Sequence, residues 1–195
     1  MSKEKTVKVI DRLEGTLIAD LKSLKIIAEE RSESPSLQEK LPGAFNFLLL
    51  ITGLIACETL GYFINTESKE SIEGQSGKNI KYFVKSKHFK QSAFKKSNYL
   101  NTLASLRTNL VHVFGMTDFN MDGINTDIGL SVGGSKKQDI LQETGVVKIN
   151  GVKFLELVID GFESIKSEVM TGNDSSTLIG IISDKKWYNV ANSAD

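Results

Sequence analysis

Apolar residues recur three or four positions apart from Thr6 to Arg31, which is the spacing of one face of an α-helix. Charged residues such as Lys8, Asp11 and Lys22 fall on the opposite side of that helix. The pattern predicts a long amphipathic helix, and the proline-containing segment Ser32–Ser36 is predicted to connect it to the next element. The face predicted to be buried consists of Val7, Ile10, Leu13, Leu17, Leu21, Leu24 and Ile27.

A second helix is predicted to start between Leu37 and Pro42 and to end near Ile64, and it is apolar almost all the way round. A helix without a polar face is expected at the centre of a helical core. Its most apolar run, Ala44–Cys57, has about fourteen residues before Glu58, fewer than the ~20 needed to span a bilayer. We therefore expect a buried core helix and no membrane segment.

Helical spacing predicts three more helices, Ile80–Lys96, Asn98–Phe114 and Val152–Val169. The segment 65–79, which precedes them, is polar and rich in Gly and Ser, so it is predicted to be a surface loop. Short connections between amphipathic helices favour antiparallel neighbours. The expected fold class is therefore mainly α, an antiparallel helical bundle of four to five helices.

Two short pieces have the character of strands. Ile128–Val132 alternates between apolar and small or polar residues, and Val146–Ile149 is rich in β-branched residues. Together they predict a small β-hairpin appended to the bundle.

The whole chain, residues 1–195, is expected to form a single helical-bundle domain. Its core is predicted at about 6–170, and residues 171–195 are predicted to be a C-terminal tail or packing arm. Within that tail, the apolar run Leu178–Ile182 is interpreted as either an added strand or a packing arm.

The composition excludes several classes of protein. Lys and Arg together number 24 and equal Asp and Glu, so no global field attracts nucleic acid or a membrane, and an electrostatic partner must be met by a local patch. The single cysteine, Cys57, excludes an intramolecular disulfide, and the N-terminus lacks the pattern of a signal peptide, so we expect a cytoplasmic protein. Since no Cys/His cluster has zinc-site spacing, no metal or other cofactor is predicted.

Arg107 falls within the apolar stripe of the predicted fourth helix, four residues after Leu103 and three before Leu110. A guanidinium keeps its charge there, so it needs a carboxylate or phosphate partner. Glu58 is embedded in the apolar second helix, so its carboxylate needs a positively charged partner in the same way. The sequence therefore predicts a structural ion pair between Arg107 and Glu58.

His112 follows Arg107 by five residues, roughly 140° round the helix and ~7.5 Å along it. Asn109 lies one turn before His112 on the same side and can orient the imidazole. This arrangement, in a helix that follows a strongly apolar one, resembles the Arg-X4–6-His motif of the HEPN superfamily. Many members have a polar residue, often Asn, directly after the Arg, whereas this chain has Thr108 there. The resemblance covers about Thr6 to Phe114, and it extends to the fifth helix.

The resemblance implies a dimeric helical bundle that cleaves RNA without a metal, in a cleft where the Arg/His motifs of two protomers meet. By that resemblance, His112 acts on the ribose 2′-OH as general base or protonates the leaving oxygen. Arg107 holds the scissile phosphate and stabilises its developing charge, and Asn109 supports His112.

Two alternatives remain open at these residues. Arg107 and His112 can both be satisfied by hydrogen bonds within a core helix, with no catalytic role. Many HEPN proteins are not enzymes, so the chain can equally be a non-catalytic interaction module of a toxin–antitoxin or stress type. Such a module pairs with another protein, for example a nucleotidyltransferase-type antitoxin.

The predicted third helix is basic and carries aromatic residues between its lysines. A helix of this kind can grip a phosphate backbone and stack bases, and its RNA-binding candidates are Lys81, Lys85, Lys87 and Lys90. The alternative places the aromatic residues Phe83, Phe89 and Phe94 in the core and the lysines on a solvated face. His88 of the same segment is expected at the surface.

Asp118–Gly123 matches the first half of a calcium-binding EF-hand loop, in which alternate oxygen ligands wrap one hard cation. The second half does not fit, because position twelve is Gly129 where a bidentate Glu is needed. An Asp/Asn/Gly turn is the favoured interpretation, and a calcium-binding helical protein is kept as a third alternative.

Overall fold

The computed structural model describes the chain in seven stretches, and mostly as helix. The stretches are residues 2–40, 44–66, 75–113, 119–121, 124–131, 140–143 and 146–185. Within them, the side chains of 44–46, 108–113, 119–131 and 141–147 are not part of the description.

The described helices are α1 Ser2–Leu13, α2 Ala19–Glu33, α3 Pro35–Lys40, α4 Ala44–Ile64, α5 Ser76–Lys85, α6 Ser97–Val113, α7 Gly151–Thr171 and α8 Thr177–Asp184. A π-helical turn, Glu14–Ile18, joins α1 to α2, and a 3-10 turn, Ala93–Lys95, precedes α6. The fold is therefore mainly helical, as the spacing of apolar residues predicts.

The first predicted helix is continuous from α1 through α2, but its buried face changes partway along. The π turn contains one residue more than an α-helical turn, so residues after it are rotated relative to the predicted stripe. Ile18 and Ala28 are therefore buried in place of Leu17 and Ile27, and Ile27 is exposed. A strict three-to-four spacing could not anticipate this shift.

Helix α4 is central, as its apolar character predicts. It packs against α2, α5, α6, α7 and α8. Its Phe47–Ile64 stretch is long and apolar enough to cross a membrane, and 67% of that stretch is buried inside the protein. Core helices have the same length and composition, so this property does not separate the two kinds of helix.

The predicted third helix, Ile80–Lys96, is wrong at both ends. Helix α5 begins at Ser76, inside the segment predicted as a loop, and ends at Lys85. Beyond it, Ser86 is extended, and residues 86–90 form a bend rather than further helical turns. The bend allows Phe89 to meet Phe83 edge-on, with ring centroids 5.6 Å apart, and both rings are fully buried.

The strands form a four-stranded sheet rather than a simple hairpin. Its strands are β1 Phe119–Met121, β2 Ile124–Ser131, β3 Ile140–Glu143 and β4 Val146–Asn150, in the spatial order β1-β2-β4-β3. The two strands predicted to form a hairpin, β2 and β4, are neighbours but run parallel, with Ile128 opposite Val147. The reason is that β3 lies between them in sequence and takes the antiparallel position beside β4.

The C-terminal apolar run is helical, so the alternative of an added strand at Leu178–Ile182 is wrong, whereas the run packs on the core as the alternative of a packing arm expects. Helix α8 places Leu178, Ile179 and Ile182 in the same core cluster as α4 and α7. Lys185 at its end is buried, and its Nζ donates to the carbonyl of Asn65 at 2.7 Å. Packing therefore extends into the predicted tail.

Candidate functional site

Arg107 on α6 and Glu58 on α4 lie in direct contact. The guanidinium Nε donates to Glu58 Oε2 at 2.8 Å, and the two side chains are 21% and 6% exposed. The structure thus brings together the pair that the sequence places in two apolar helices. A buried carboxylate needs such a partner, because removing a charge from water is costly without one.

The second oxygen of Glu58 is also occupied. The hydroxyl of Ser76, the first residue of α5, donates to Glu58 Oε1 at 2.6 Å. Helix α5 comes this close to α4 because residue 61 is a glycine: a Cβ there would lie 2.0 Å from the carbonyl oxygen of Asn79. Three helices therefore meet at one carboxylate. No local pattern singles out Ser76, which falls in the segment predicted to be a loop.

The guanidinium of Arg107 uses one of its five N–H donors in this pair. Among the described residues its only hydrogen bond and ion pair are those through Nε to Glu58. The two terminal amino groups are the part of the fork that grips two oxygens of a carboxylate or phosphate. Glu58 thus fixes the orientation of the Arg107 guanidinium, and its two terminal amino groups have no partner among the described residues.

Helix α6 continues to Val113, so the backbone of Asn109 and His112 is helical, as predicted. Their side chains lie outside the described part of the chain. The Asp118–Gly123 calcium candidate also lies outside it, apart from the strand backbone of 119–121.

The four RNA-binding candidates separate into two pairs. Lys87 lies 2.6 Å from a carboxylate oxygen of Glu168, and Lys90 lies 2.6 Å from one of Asp160, both on α7. Lys81 and Lys85 on α5 have no ion-pair partner among the described residues. The aromatic residues between the lysines (Phe83, Phe89 and Phe94) are fully buried, as in the alternative that assigns them to the core.

His88 is not at the surface, in contrast to the sequence-based expectation. It is 5% exposed, and its Nδ1 lies 3.1 Å from the hydroxyl of Ser164 on α7. Burial lowers the pKa of His88, although the nearby Glu168 carboxylate opposes this. No local pattern identifies this residue, because its burial depends on how the bend at 86–90 crosses α7.

Metal and thiol chemistry find little support in the described residues. Within the residues that the structure describes, no three His, Cys, Asp or Glu side chains gather into a group that could hold a metal ion. Cys57 is fully buried in α4, and burial raises the pKa of its thiol. Since the thiolate is the reactive form, Cys57 is expected to act as a packing residue.

Comparisons with protein-family models, with curated proteins and with solved structures find no match to this chain. The resemblance to the HEPN superfamily therefore depends on the helical pattern and on the spacing of Arg107 and His112.

Proposed function

We propose that this protein is a HEPN-like, metal-independent endoribonuclease that acts through Arg107 and His112. One observation supports this most directly. Glu58 holds the Nε edge of Arg107, so the two terminal amino groups have no partner among the described residues. A cation fixed in this way is suited to hold a phosphate in a set position, because its orientation is settled before the substrate binds.

The proposed reaction is an attack of the ribose 2′-oxygen on the adjacent phosphorus. The bond from phosphorus to the 5′-oxygen breaks, and a 2′,3′-cyclic phosphate forms. His112 accepts the proton of the 2′-hydroxyl or supplies one to the leaving oxygen, and the ordinary histidine pKa near neutrality suits either role. Arg107 stabilises the charge that develops on the phosphate oxygens, and Asn109 orients the ring of His112.

The proposal includes an antiparallel helical bundle, a homodimer whose two Arg/His motifs share one cleft, and action in the cytoplasm. Lys81, Lys85, Lys87 and Lys90 are proposed to contact the RNA backbone. Of these, Lys81 and Lys85 are the better candidates, because Lys87 and Lys90 already pair with acidic residues of α7.

The test is cleavage of a panel of single-stranded and structured RNAs in EDTA. We expect the wild type to cleave, His112→Ala to be slower by about 10²- to 10⁴-fold, and Arg107→Lys to be slower because an ammonium lacks the planar fork. The matched control, Arg12→Lys on the exposed side of α1, should cleave like the wild type. Equal cleavage by the wild type and His112→Ala contradicts the proposal.

The second candidate is a non-catalytic helical interaction module, and the outer face of α4 favours it. Leu48 and Ile55 lie two turns apart on α4, and each is 40% exposed. Thr52 and Thr59 continue this face, and their hydroxyls bond to the carbonyls four residues back in the helix. The face therefore carries no charged residue, which is unusual for the exposed side of a helix.

A face of this kind, in a chain with no net charge, fits a second copy of itself without repulsion between like charges. Leu48→Lys with Ile55→Lys should convert a dimer to a monomer in light scattering, whereas Lys8→Gln on α1 should not. A dimer without RNA cleavage supports the module. A monomeric wild type leaves an antitoxin-type protein as the partner to be sought for this candidate.

A further inference from the structure

A cleft with a volume of about 500 Å³ opens between α5, the bend at 86–90, α7 and α8. This volume lies within the usual range for small-molecule sites. Its described lining is largely apolar and includes Ile64, Leu178 and Ile181, and Tyr82 contributes an aromatic ring with a hydroxyl at its edge. An apolar lining with a few polar groups is the common construction of a ligand site.

The most buried polar residue of this lining is His88. Its side chain is 5% exposed and lines the cleft, and Nδ1 is held by Ser164 Oγ at 3.1 Å. The other nitrogen, Nε2, is 3.9 Å from Glu168 Oε2, beyond hydrogen-bond distance, and has no hydrogen bond among the described residues. Nε2 is not among the enclosed unsatisfied atoms of the described residues, which are Asn79 Nδ2 and Ser92 Oγ, so it is open to the cleft and can meet a ligand atom there.

The charges around the cleft favour an anion. Lys87 neutralises Glu168 at 2.6 Å, whereas Lys85 has no ion-pair partner among the described residues. Helix α8 also begins at the cleft, since Thr177 and Leu178 belong to its lining and to its first turn. The side chain of the N-cap residue, Ser176, makes no capping hydrogen bond, so the positive end of the helix adds to the charge of Lys85.

We infer that this cleft binds a small organic anion, a carboxylate or a phosphate ester with a flat apolar body. The apolar body lies against Tyr82 and Leu178. The anionic oxygens receive a hydrogen bond from Nε2–H of His88 and pair with Lys85. This tautomer follows when Ser164 donates to Nδ1, which leaves the proton on Nε2. The lining does not include Arg107, and it shares only Lys85 with the described residues proposed to be the better RNA contacts, so binding of the small anion can be measured without RNA cleavage.

The test measures the binding of four probes to the full chain from the changes in its amide NMR shifts. The probes are 1-naphthoate, 1-naphthyl phosphate, 1-naphthol and inorganic phosphate. Either naphthyl anion should bind about tenfold tighter than 1-naphthol and inorganic phosphate, because only the naphthyl anions use both the apolar lining and the charges. A tighter 1-naphthoate assigns carboxylates as the natural class, and a tighter 1-naphthyl phosphate assigns phosphate esters.

Variants test the residues that carry the inference. Lys85→Gln should weaken 1-naphthoate binding about fivefold, whereas Lys8→Gln, a lysine on the exposed side of α1, should not change it. His88→Leu should weaken binding as well, and Lys85→Gln decides the question if His88→Leu does not fold. Binding of 1-naphthol as tight as that of the anions, an unchanged affinity in Lys85→Gln, or no binding of either anion overturns the inference.

The pH dependence gives an independent measurement. Protonation of His88 adds a positive charge beside the ligand, so 1-naphthoate should bind tighter at pH 6 than at pH 7.5, and His88→Gln should remove the difference. Among the described residues, the charged groups that act on the ring are Glu168 of α7 and Lys87 of the bend, and Lys85 of α5 lies in the same cleft lining. An equal pH dependence in the wild type and His88→Gln overturns the role of His88.

Discussion

Two buried ionisable side chains, Glu58 and His88, are accommodated in different ways. Both oxygens of Glu58 are paired, one with Arg107 and one with Ser76. Among the described residues, His88 has a hydrogen-bond partner at Nδ1 only, and burial lowers its pKa, which favours the neutral form. A carboxylate that stays charged in the interior needs full pairing, whereas an imidazole can shed its charge and leave one nitrogen for a ligand.

Each of these sites depends on a glycine that lets another segment come close. Gly61 on α4 admits the backbone of α5, which brings Ser76 to Glu58. Gly161 on α7 admits Phe83 and the carbonyl of His88. The neighbour of Gly61 is main chain, whereas the nearest neighbour of Gly161 is the edge of a ring. The first contact is therefore the more rigid of the two.

The largest effect is expected from Gly61→Ala. Its Cβ would lie 2.0 Å from the oxygen and 2.6 Å from the carbon of the Asn79 carbonyl, so α4 and α5 must separate. We expect the free energy of unfolding to fall by about 3 kcal/mol or more, the upper end of overpacking costs. The measurement is urea unfolding, with Gly180→Ala as the matched control.

Gly180 lies in α8, where a Cβ would have no described neighbour within 4 Å. Gly180→Ala should raise the free energy of unfolding by about 0.5–1 kcal/mol through its helix propensity. A Gly61→Ala protein as stable as the wild type would show that α4 and α5 are not packed this closely.

Glu58→Gln comes next, because it leaves Arg107 without a counter-charge. Loss of one partner of a buried pair costs several kcal/mol, and the partial exposure of Arg107 places this case at about 2–3 kcal/mol. The control is Glu163→Gln. Glu163 and its partner Lys22 are 44% and 45% exposed, so the loss of this pair should lower the free energy of unfolding by about 0.5 kcal/mol. Equal losses in the two variants would mean that Glu58 is no better shielded from solvent than Glu163.

Gly161→Ala should have a smaller effect than Gly61→Ala. The new Cβ would lie 2.7 Å from Phe83 Cζ and 3.4 Å from the carbonyl oxygen of His88. A ring edge can move by a few tenths of an ångström, so we expect a loss of about 1–2 kcal/mol. The imidazole NMR resonances of His88 should shift as the bend is displaced. Unchanged resonances would mean that the position of the bend does not depend on its contact with Gly161 of α7.

The smallest effect is the pH dependence that His88 contributes to stability. Since its pKa is lower in the folded protein than the ordinary value of 6.5, the unfolded chain binds more protons in the window below about pH 6.5. The free energy of unfolding therefore rises with pH through that window and falls on acidification. Urea unfolding at pH 5.5 and 7.5 should show a smaller change in His88→Gln than in the wild type. A change of equal size would assign the dependence to other groups.

The extent of sequence-based prediction differs between these two sites. The contact of Arg107 with Glu58 follows from two charges in apolar stripes, because each requires an opposite charge in the same interior. Ser76 was not predicted, since a serine at a helix start resembles any loop serine. His88 was assigned to the wrong environment, because a continuous helix from Ile80 to Lys96 would have turned it toward solvent, whereas the bend turns it onto α7.

By itself, the sequence determined the helical character of the chain, the central position of α4 and the need for a partner at each of two buried charges. These follow from periodicity and desolvation, which act on residues close in sequence or on single side chains. Tertiary structure alone decided the end of α5 at Lys85, the parallel pairing of β2 with β4 and the helical form of α8. It also decided the burial of His88. Each of these outcomes depends on contacts between distant segments, whose energies exceed local propensity.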